Sequence, residues 1–301
     1  MGIVNNALLL EKGLRADFLK AFNNGENPAD VMQFIMKTTS NSNQEKYGWL
    51  GEVSGMTEWT DERTLRGLND YDYTLANKDY EATLKVDRNA LQDDQLGAVK
   101  LRVADLALKA RVSFPRKLFF DQIALGSTEL CYDGVPFFSA SHPESGDNQS
   151  NLLSGTASST YTLAEFVADF EAARAALRGF KDDQGDPRNE GELDLMIVAP
   201  QGLENYVDKV ISADLISNTT NTLKGAAKKL ISARLPGDQD WYLADVSGAI
   251  KPFIMQERSA ITFEAQEKGE RAFMRKEYLY GVDQRVGFGF GLWSKMVKIN
   301  N

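Results

Sequence analysis

The chain has 301 residues, a formal net charge of −9 and an apolar share of 43%. That length allows one large domain or two interleaved ones, with enough apolar residues to fill a core. The acidic balance argues against a general nucleic-acid binder, because phosphate contacts need clustered Lys and Arg, though it leaves room for a local basic stripe. Cys131 is the single cysteine, so no intrachain disulfide is possible, and cytosolic folding is the simplest reading. The apolar stretch Ala7 to Leu10 is too short for a signal-peptide core, and no stretch approaches the roughly 20 apolar residues that span a bilayer.

Residues 1–30 read as an amphipathic arm, with Leu8, Leu9, Leu14, Phe18, Leu19 and Phe22 near helical spacing. Asn23-Asn24-Gly25 ends that helix. Residues 47–86 carry aromatic and β-favouring runs: Tyr47 to Leu50, Tyr71 to Leu75, then Tyr80, Ala82, Leu84 and Val86 in alternation. A charged stretch from Asp61 to Asp70 lies between the runs. This predicts one long β-hairpin arm with a polar tip. A two-stranded hairpin is marginal alone in water, so a neighbouring subunit is a candidate support.

Asp93-Asp94 open a long helical segment over about 93–125, with an apolar stripe of Leu96, Val99, Val103, Leu106 and Ala110. Pro115 predicts a kink or break near Ser113-Phe114. Lys100, Arg102, Lys109, Arg111, Arg116 and Lys117 make the helix locally basic. Residues 127–160 are loop-rich, although Val135, Phe137 and Phe138 argue that part of them packs. Thr162 with Glu165 forms a capping box for a helix running to about Gly179. Leu193 to Ala199 reads as a buried strand, Leu203 to Ile211 as a helix, and Trp241 to Leu243 as a strand. Strand-like runs close the chain at 253–255, 261–263, 273–280 and 286–297. Strands early and late with helices between them give an α+β class, not a repeating βαβ one.

Reactive constellations are scarce. Cys131 and His142 could form a hydrolase pair oriented by Asp133 or Glu144. The plainer reading makes Cys131 a small buried hydrophobe and His142 a loop histidine. One histidine and one cysteine fall short of the four Cys and His ligands that closed zinc sites mostly use. Asp182 to Asp186 resembles a calcium loop but lacks the closing Glu. No phosphate-binding loop or nucleophile elbow occurs. Gly287-Phe288-Gly289-Phe290-Gly291 sits inside an aromatic strand pattern, which suggests close strand packing or bulges. No catalytic, cofactor or metal residue is assigned, and no enzyme activity is expected.

A set of motifs in shared order carries a resemblance. They are Tyr47-Gly48-Trp49-Leu50-Gly51 with Glu58-Trp59, Asn77-Lys78 with Tyr80-Glu81 and Val86-Asp87-Arg88, and Asp93-Asp94-Gln95-Leu96-Gly97. Glu129 to Gly134 follows, with Pro136-Phe137-Phe138 and His142-Pro143. Later come Ala249 to Ile254, Gln256-Glu257-Arg258, Glu277 to Asp283, and Gly287-Phe288-Gly289. In these the chain resembles the Mu-like prophage major head subunits, the gpT family.

The resemblance implies a Hong Kong 97-like capsid fold. Its expected parts here are an N-terminal arm (1–32), the start of the peripheral domain with an extended hairpin loop (33–92, loop about 45–90), and a spine helix (93–126). An axial domain (127–255) and returning strands (256–301) complete it. The implied function is self-assembly of hexamers and pentamers into an icosahedral shell around double-stranded DNA. Scaffolding, portal and decoration proteins are the implied partners, and the virion, assembled in the host cytoplasm, is the location. Trp49, Trp59, Arg63, Arg66, Tyr71 and Tyr73 are expected at inter-subunit contacts. Lys100, Arg102, Lys109, Arg111, Arg116 and Lys117 either face packaged DNA or pair with acids on neighbouring elements. Three other readings stand beside this one: an encapsulin-type compartment subunit, a tail-tube or decoration protein, and the Cys131/His142 hydrolase.

Overall fold

The computed structural model of the chain describes residues 3–24, 29–47, 73–89, 96–144, 147–157, 160–182, 185–189, 191–216, 219–235, 237 and 239–301. The first elements are helices α1 (Ile3–Asn24) and α2 (Ala29–Met32) and strands β1 (Ile35–Thr39), β2 (Gln44–Lys46), β3 (Thr74–Ala76) and β4 (Lys78–Asp87). A long helix follows in three pieces: α3 (Leu96–Leu108), a π segment (Lys109–Ser113) and α4 (Phe114–Leu125). Short strands β5 (His142–Glu144), β6 (Asp147–Gln149) and β7 (Leu152–Ser154) lead to α5 (Leu163–Gly179), β8 (Leu195–Ala199) and α6 (Glu204–Ser212). The last part holds β9 (Leu215–Ile216), β10 (Thr219–Thr220), β11 (Lys228–Ile231), β12 (Trp241–Asp245), β13 (Phe253–Gln266), α7 (Glu270–Met274), β14 (Glu277–Phe290) and β15 (Met296–Asn300).

Two sheets organise these elements. The first has the order β1-β13-β14-β4, and the second β11-β8-β12-β15-β7. Both mix parallel and antiparallel neighbours: β1 runs parallel to β13, and β11 parallel to β8. Strands β8 and β12 are buried along their whole length, which explains why they read as unbroken apolar runs. Helix α5 covers β12 and β15 with Phe166, Phe170, Ala173 and Leu177. Its start follows the sequence: the Glu165 N–H donates to the Thr162 hydroxyl at 3.3 Å, and the Glu165 carboxylate accepts from the Thr162 N–H at 2.7 Å. Two backbone donors with no intrahelical partner are thereby satisfied.

Helix α1 lies on α3 and β13 of its own chain. Leu14 and Phe18 are buried there, and the Phe18 ring stacks 4.8 Å from Phe263. Such a pair adds about 0.5–1.5 kcal/mol beyond its buried area. The expected break at Pro115 takes another form. Proline lacks an N–H and crowds the carbonyl four residues back. The helix answers by widening into the π segment Lys109–Ser113, and Pro115 falls in the first turn of α4.

The single long hairpin expected over 47–86 is corrected. Among the described residues, its base pairs internally: β2 lies antiparallel to β3, with Gln44 opposite Ala76 and Lys46 opposite Thr74. The run Tyr80 to Val86 belongs to β4, which pairs instead with β14 over ten registers from Asp87–Glu277 to Lys78–Val286. The alternation was a true strand signal, but period alone does not name the partner. Residues 48–72 lie outside the described residues.

Three more expectations change at the end of the chain. The runs at 253–255 and 261–263 form one strand, β13, with register shifts between Glu257 and Thr262 that leave Arg258, Ala260 and Ile261 out of pairing with β14. Phe273 is not in a strand. It sits on α7, and Gly269 (φ 112°) and Lys276 (φ 53°) turn the chain into and out of that short helix. The run at 286–297 divides: β14 ends at Phe290, a 3-10 turn spans Trp293–Lys295, and β15 joins the second sheet.

Candidate assembly site

A buried polar network ties together the strands that flank residues 48–72, the root of the expected β-arm. The chain leaves at Tyr47 and returns at Tyr73, and the Tyr47 N–H donates to the Tyr73 carbonyl at 2.7 Å. Beneath this pair, the fully buried Gln256 of β13 reads both strands of the root. Its carbonyl oxygen accepts from the Tyr47 hydroxyl at 2.7 Å, and its amide donates to Asn77 Oδ1 at 2.8 Å and to the Leu75 carbonyl at 3.3 Å. Asn77 donates onward to the Ser42 carbonyl at 2.9 Å and to Ser40 Oγ at 3.1 Å. Burial raises the Tyr47 phenol above its ordinary value, with the Thr38 hydroxyl bond opposing it. A network satisfied at every member holds one geometry, because any slip strands a buried polar group.

Of the six residues expected at inter-subunit contacts, only Tyr73 is described; Trp49, Trp59, Arg63, Arg66 and Tyr71 lie outside the described residues. Tyr73 turns into its own subunit, where its hydroxyl accepts from the Phe290 N–H at 2.8 Å. Gln256 and Asn77 stood among the motifs of the resemblance, but their buried role was not legible, since single amides carry no periodic signal.

The six basic residues of the long helix do not form one free stripe. Lys100 pairs with Asp17 at 3.4 Å, Lys109 with Asp105 at 2.8 Å and Lys117 with Asp121 at 2.5 Å. Arg116 pairs with Asp30, and Arg111 donates to the Phe22 carbonyl at 2.7 Å. Arg102 is exposed and makes no ion pair among the described residues. Leu101, beside it, is 74% exposed, and Leu108 one heptad on is 47% exposed. At the tip between β13 and β14, Phe273 is 83% and Met274 70% exposed. Below that tip the Tyr280 hydroxyl donates to the buried Glu267 at 2.6 Å.

Cys131 and His142 do not make a nucleophile and base. His142 makes the ordinary hydrogen bonds expected of it, but from the start of β5 and not from a loop, and it is fully buried and stacks 3.9 Å from Trp293. Its Nδ1 faces Asp133 Oδ2 at 2.5 Å and its Nε2 faces Asn151 Oδ1 at 3.1 Å. The Asn151 orientation is fixed: its amide donates to the carbonyls of Phe137, Trp293 and Met296, while Oδ1 accepts from the Ser139 N–H. Both ring nitrogens are thus engaged by side chains other than the Cys131 thiol. The Cys131 thiol is buried and lies 3.6 Å from the Gly291 carbonyl.

In the Asp182 to Asp186 stretch, residues 183 and 184 lie outside the described residues; Asp182 Oδ1 accepts from the Asp186 N–H at 2.9 Å, and the Asp182 N–H donates to the Asp186 carbonyl at 2.8 Å. Among the described residues, no three His, Cys, Asp or Glu side chains are grouped to hold a metal ion. No described helix is long and apolar enough to cross a membrane.

The arrangement of arm root, long helix and two sheets is that of phage shell proteins with the Hong Kong 97-like fold. The procapsid subunit of bacteriophage JBD30 superposes with a TM-score of 0.59 at 24% identity, over 98% of this chain and 75% of that one. A virus-like particle subunit from Pyrococcus furiosus gives 0.54 at 9% identity, over 96% and 98%. These likenesses report the fold alone. Sequence narrows it further. The chain is 25% identical over 292 residues to the major capsid protein of Escherichia phage Mu, covering 96% of this chain and 72% of that protein. It is 26% identical over 291 residues to the FluMu major head subunit of Haemophilus influenzae, covering 94% and 71%. The family described as Mu-like prophage major head subunit gpT matches residues 8–169 and 228–301. The chain belongs to that family. It is a phage major capsid subunit, a structural protein of the virion and not an enzyme.

Proposed function

We propose that copies of this chain close into an icosahedral shell of hexamers and pentamers around double-stranded DNA, with residues 48–72 reaching onto an adjacent copy. The observation that carries the reading is the root itself. The strands at 44–46 and 74–76 are locked to their own sheet, yet the chain between Tyr47 and Tyr73 leaves and returns at one hydrogen-bonded pair. An excursion that begins and ends at one point gains stability from what it lies on. Assembly in the host cytoplasm, with scaffolding, portal and decoration proteins as partners, belongs to the same proposal. So does the division into arm, peripheral domain, spine helix and axial domain at residues 1–32, 33–92, 93–126 and 127–255, with returning strands at 256–301.

We infer that Arg102, exposed and without an ion pair among the described residues, is the most available of the six basic helix residues for phosphate. The test of the main reading replaces residues 48–72 with a two-residue Asn-Gly turn, which suits a hairpin closure. The variant is expected to fold and remain as small assemblies in sedimentation and electron microscopy, while the unaltered chain forms closed particles. Closed particles of ordinary size from the variant would overturn the role of the arm.

A further inference from the structure

We infer that Gly287 and Gly289 form a seat that sets the direction in which the β-arm leaves the subunit, and through it the geometry of the assembled shell. The inference rests on the reading that residues 48–72 contact a neighbouring copy. Both glycines stand on one face of β14, alternating with Val286, Phe288 and Phe290, which face the other way. The opposite face is filled: Phe290 packs 4.7 Å from Phe137, and Phe288 stacks 6.1 Å from Phe253. On the glycine face the arm root lies directly on bare backbone.

The glycines are there for space. Neither has a positive φ, so backbone freedom is not what the positions need. A methyl group at Gly289 would stand 2.6 Å from the Tyr73 hydroxyl and 2.8 Å from Leu75 Cδ1. At Gly287 it would stand 3.0 Å from the Ala76 carbonyl and 3.1 Å from Leu75 Cγ. Tyr73, Leu75 and Ala76 are the returning side of the arm root, and Gln256 and Phe290 hold that side down. A side chain in the seat therefore lifts or tilts the root on a support that is otherwise unchanged. A tilt at the root changes the direction in which the chain leaves at Tyr47 and returns at Tyr73.

The strand supplies its own control. Gly281 lies on the same face of β14, but a methyl there meets Thr83 Oγ1 at 3.6 Å and the Ala82 carbonyl at 3.9 Å, which is ordinary contact. The experiment compares Gly281→Ala, Gly287→Ala and Gly289→Ala in the full chain. Thermal unfolding of the dissociated subunit reports stability, and particle diameter by electron microscopy reports geometry. The expected result is wild-type diameters for Gly281→Ala. Gly287→Ala and Gly289→Ala are expected to keep a cooperative transition but give a shifted or broadened diameter distribution, open sheets, or no closed particle. If Gly289→Ala does not fold, the milder Gly287→Ala decides. Wild-type diameters from folded Gly287→Ala, or the same defect in Gly281→Ala, would overturn the seat. Loss of the seat alone leaves the arm reading intact, since that reading fails only if the chain lacking residues 48–72 still closes ordinary shells.

Discussion

The hydroxyl of Tyr73 accepts a hydrogen bond from the Phe290 N–H at 2.8 Å, joining the returning strand of the arm root to the last residue of β14. Tyr73→Phe removes the acceptor and leaves that N–H without its partner. The expected cost is about 1–3 kcal/mol, the range for stranding a buried donor. Denaturant unfolding of the subunit measures it.

Alkaline stability follows from the same residue. Burial first of all pushes the Tyr73 phenol well above the ordinary range, the Phe290 bond only partly opposing it. Burial does the same to Tyr161 and Tyr242. A folded state that keeps these phenols neutral gains nothing below pH about 10, where the unfolded chain is neutral too. Above that pH the unfolded chain ionises and the folded one resists, so stability falls as pH rises. Melting temperatures between about pH 8 and 12 are expected to be flat and then drop, less steeply in Tyr242→Phe. A flat profile throughout would contradict the burial argument.

Asn151 ties the loop after the long helix to the turn before β15. Its amide serves three carbonyls, and its oxygen serves the Ser139 N–H and His142. Asn151→Ala strands several buried groups at once, and a loss of about 3 kcal/mol or more is expected. Asn151→Asp is expected to be no better, because a second carboxylate would stand near Asp133 and the three carbonyls. Chemical unfolding of both variants checks this.

Arg102 and Arg116 separate charge from structure. Arg116→Gln loses the Asp30 pair, a partly exposed contact worth about 0–1 kcal/mol. Arg102→Gln breaks no ion pair among the described residues, so subunit stability is expected to hold. Any weakening of DNA retention on raising salt is expected from Arg102→Gln and not from Arg116→Gln. Equal retention in both variants and the unaltered chain would remove Arg102 from the inner surface.

Local rules carried far in this chain. The Thr162 capping box, the unbroken strand at 195–199 and the helix at 204–212 were legible because short-range hydrogen bonding and apolar period decide them. Partnership was not legible. Nothing in Tyr80 to Val86 says that they pair with residues 278–284 and not with Tyr47 onward. The π segment was hidden for a related reason: Pro115 announces a conflict, but packing chooses between a kink and a bulge. Gly287 and Gly289 were visible as a close-packing signal, while what they pack against waited for the fold. The buried His142 hub defied its loop-rich surroundings, since Gly, Ser and Asn mark turns without saying whether the turn is inside.

The central proposal is that residues 48–72, between Tyr47 and Tyr73, find their support on another copy. Electron microscopy of the purified chain, beside the version with residues 48–72 replaced by a short turn, tests it most directly. The account predicts closed particles from the first and none from the second, with both folded. Ordinary closed particles from the armless chain, or only a self-sufficient monomer from the intact one, would contradict it.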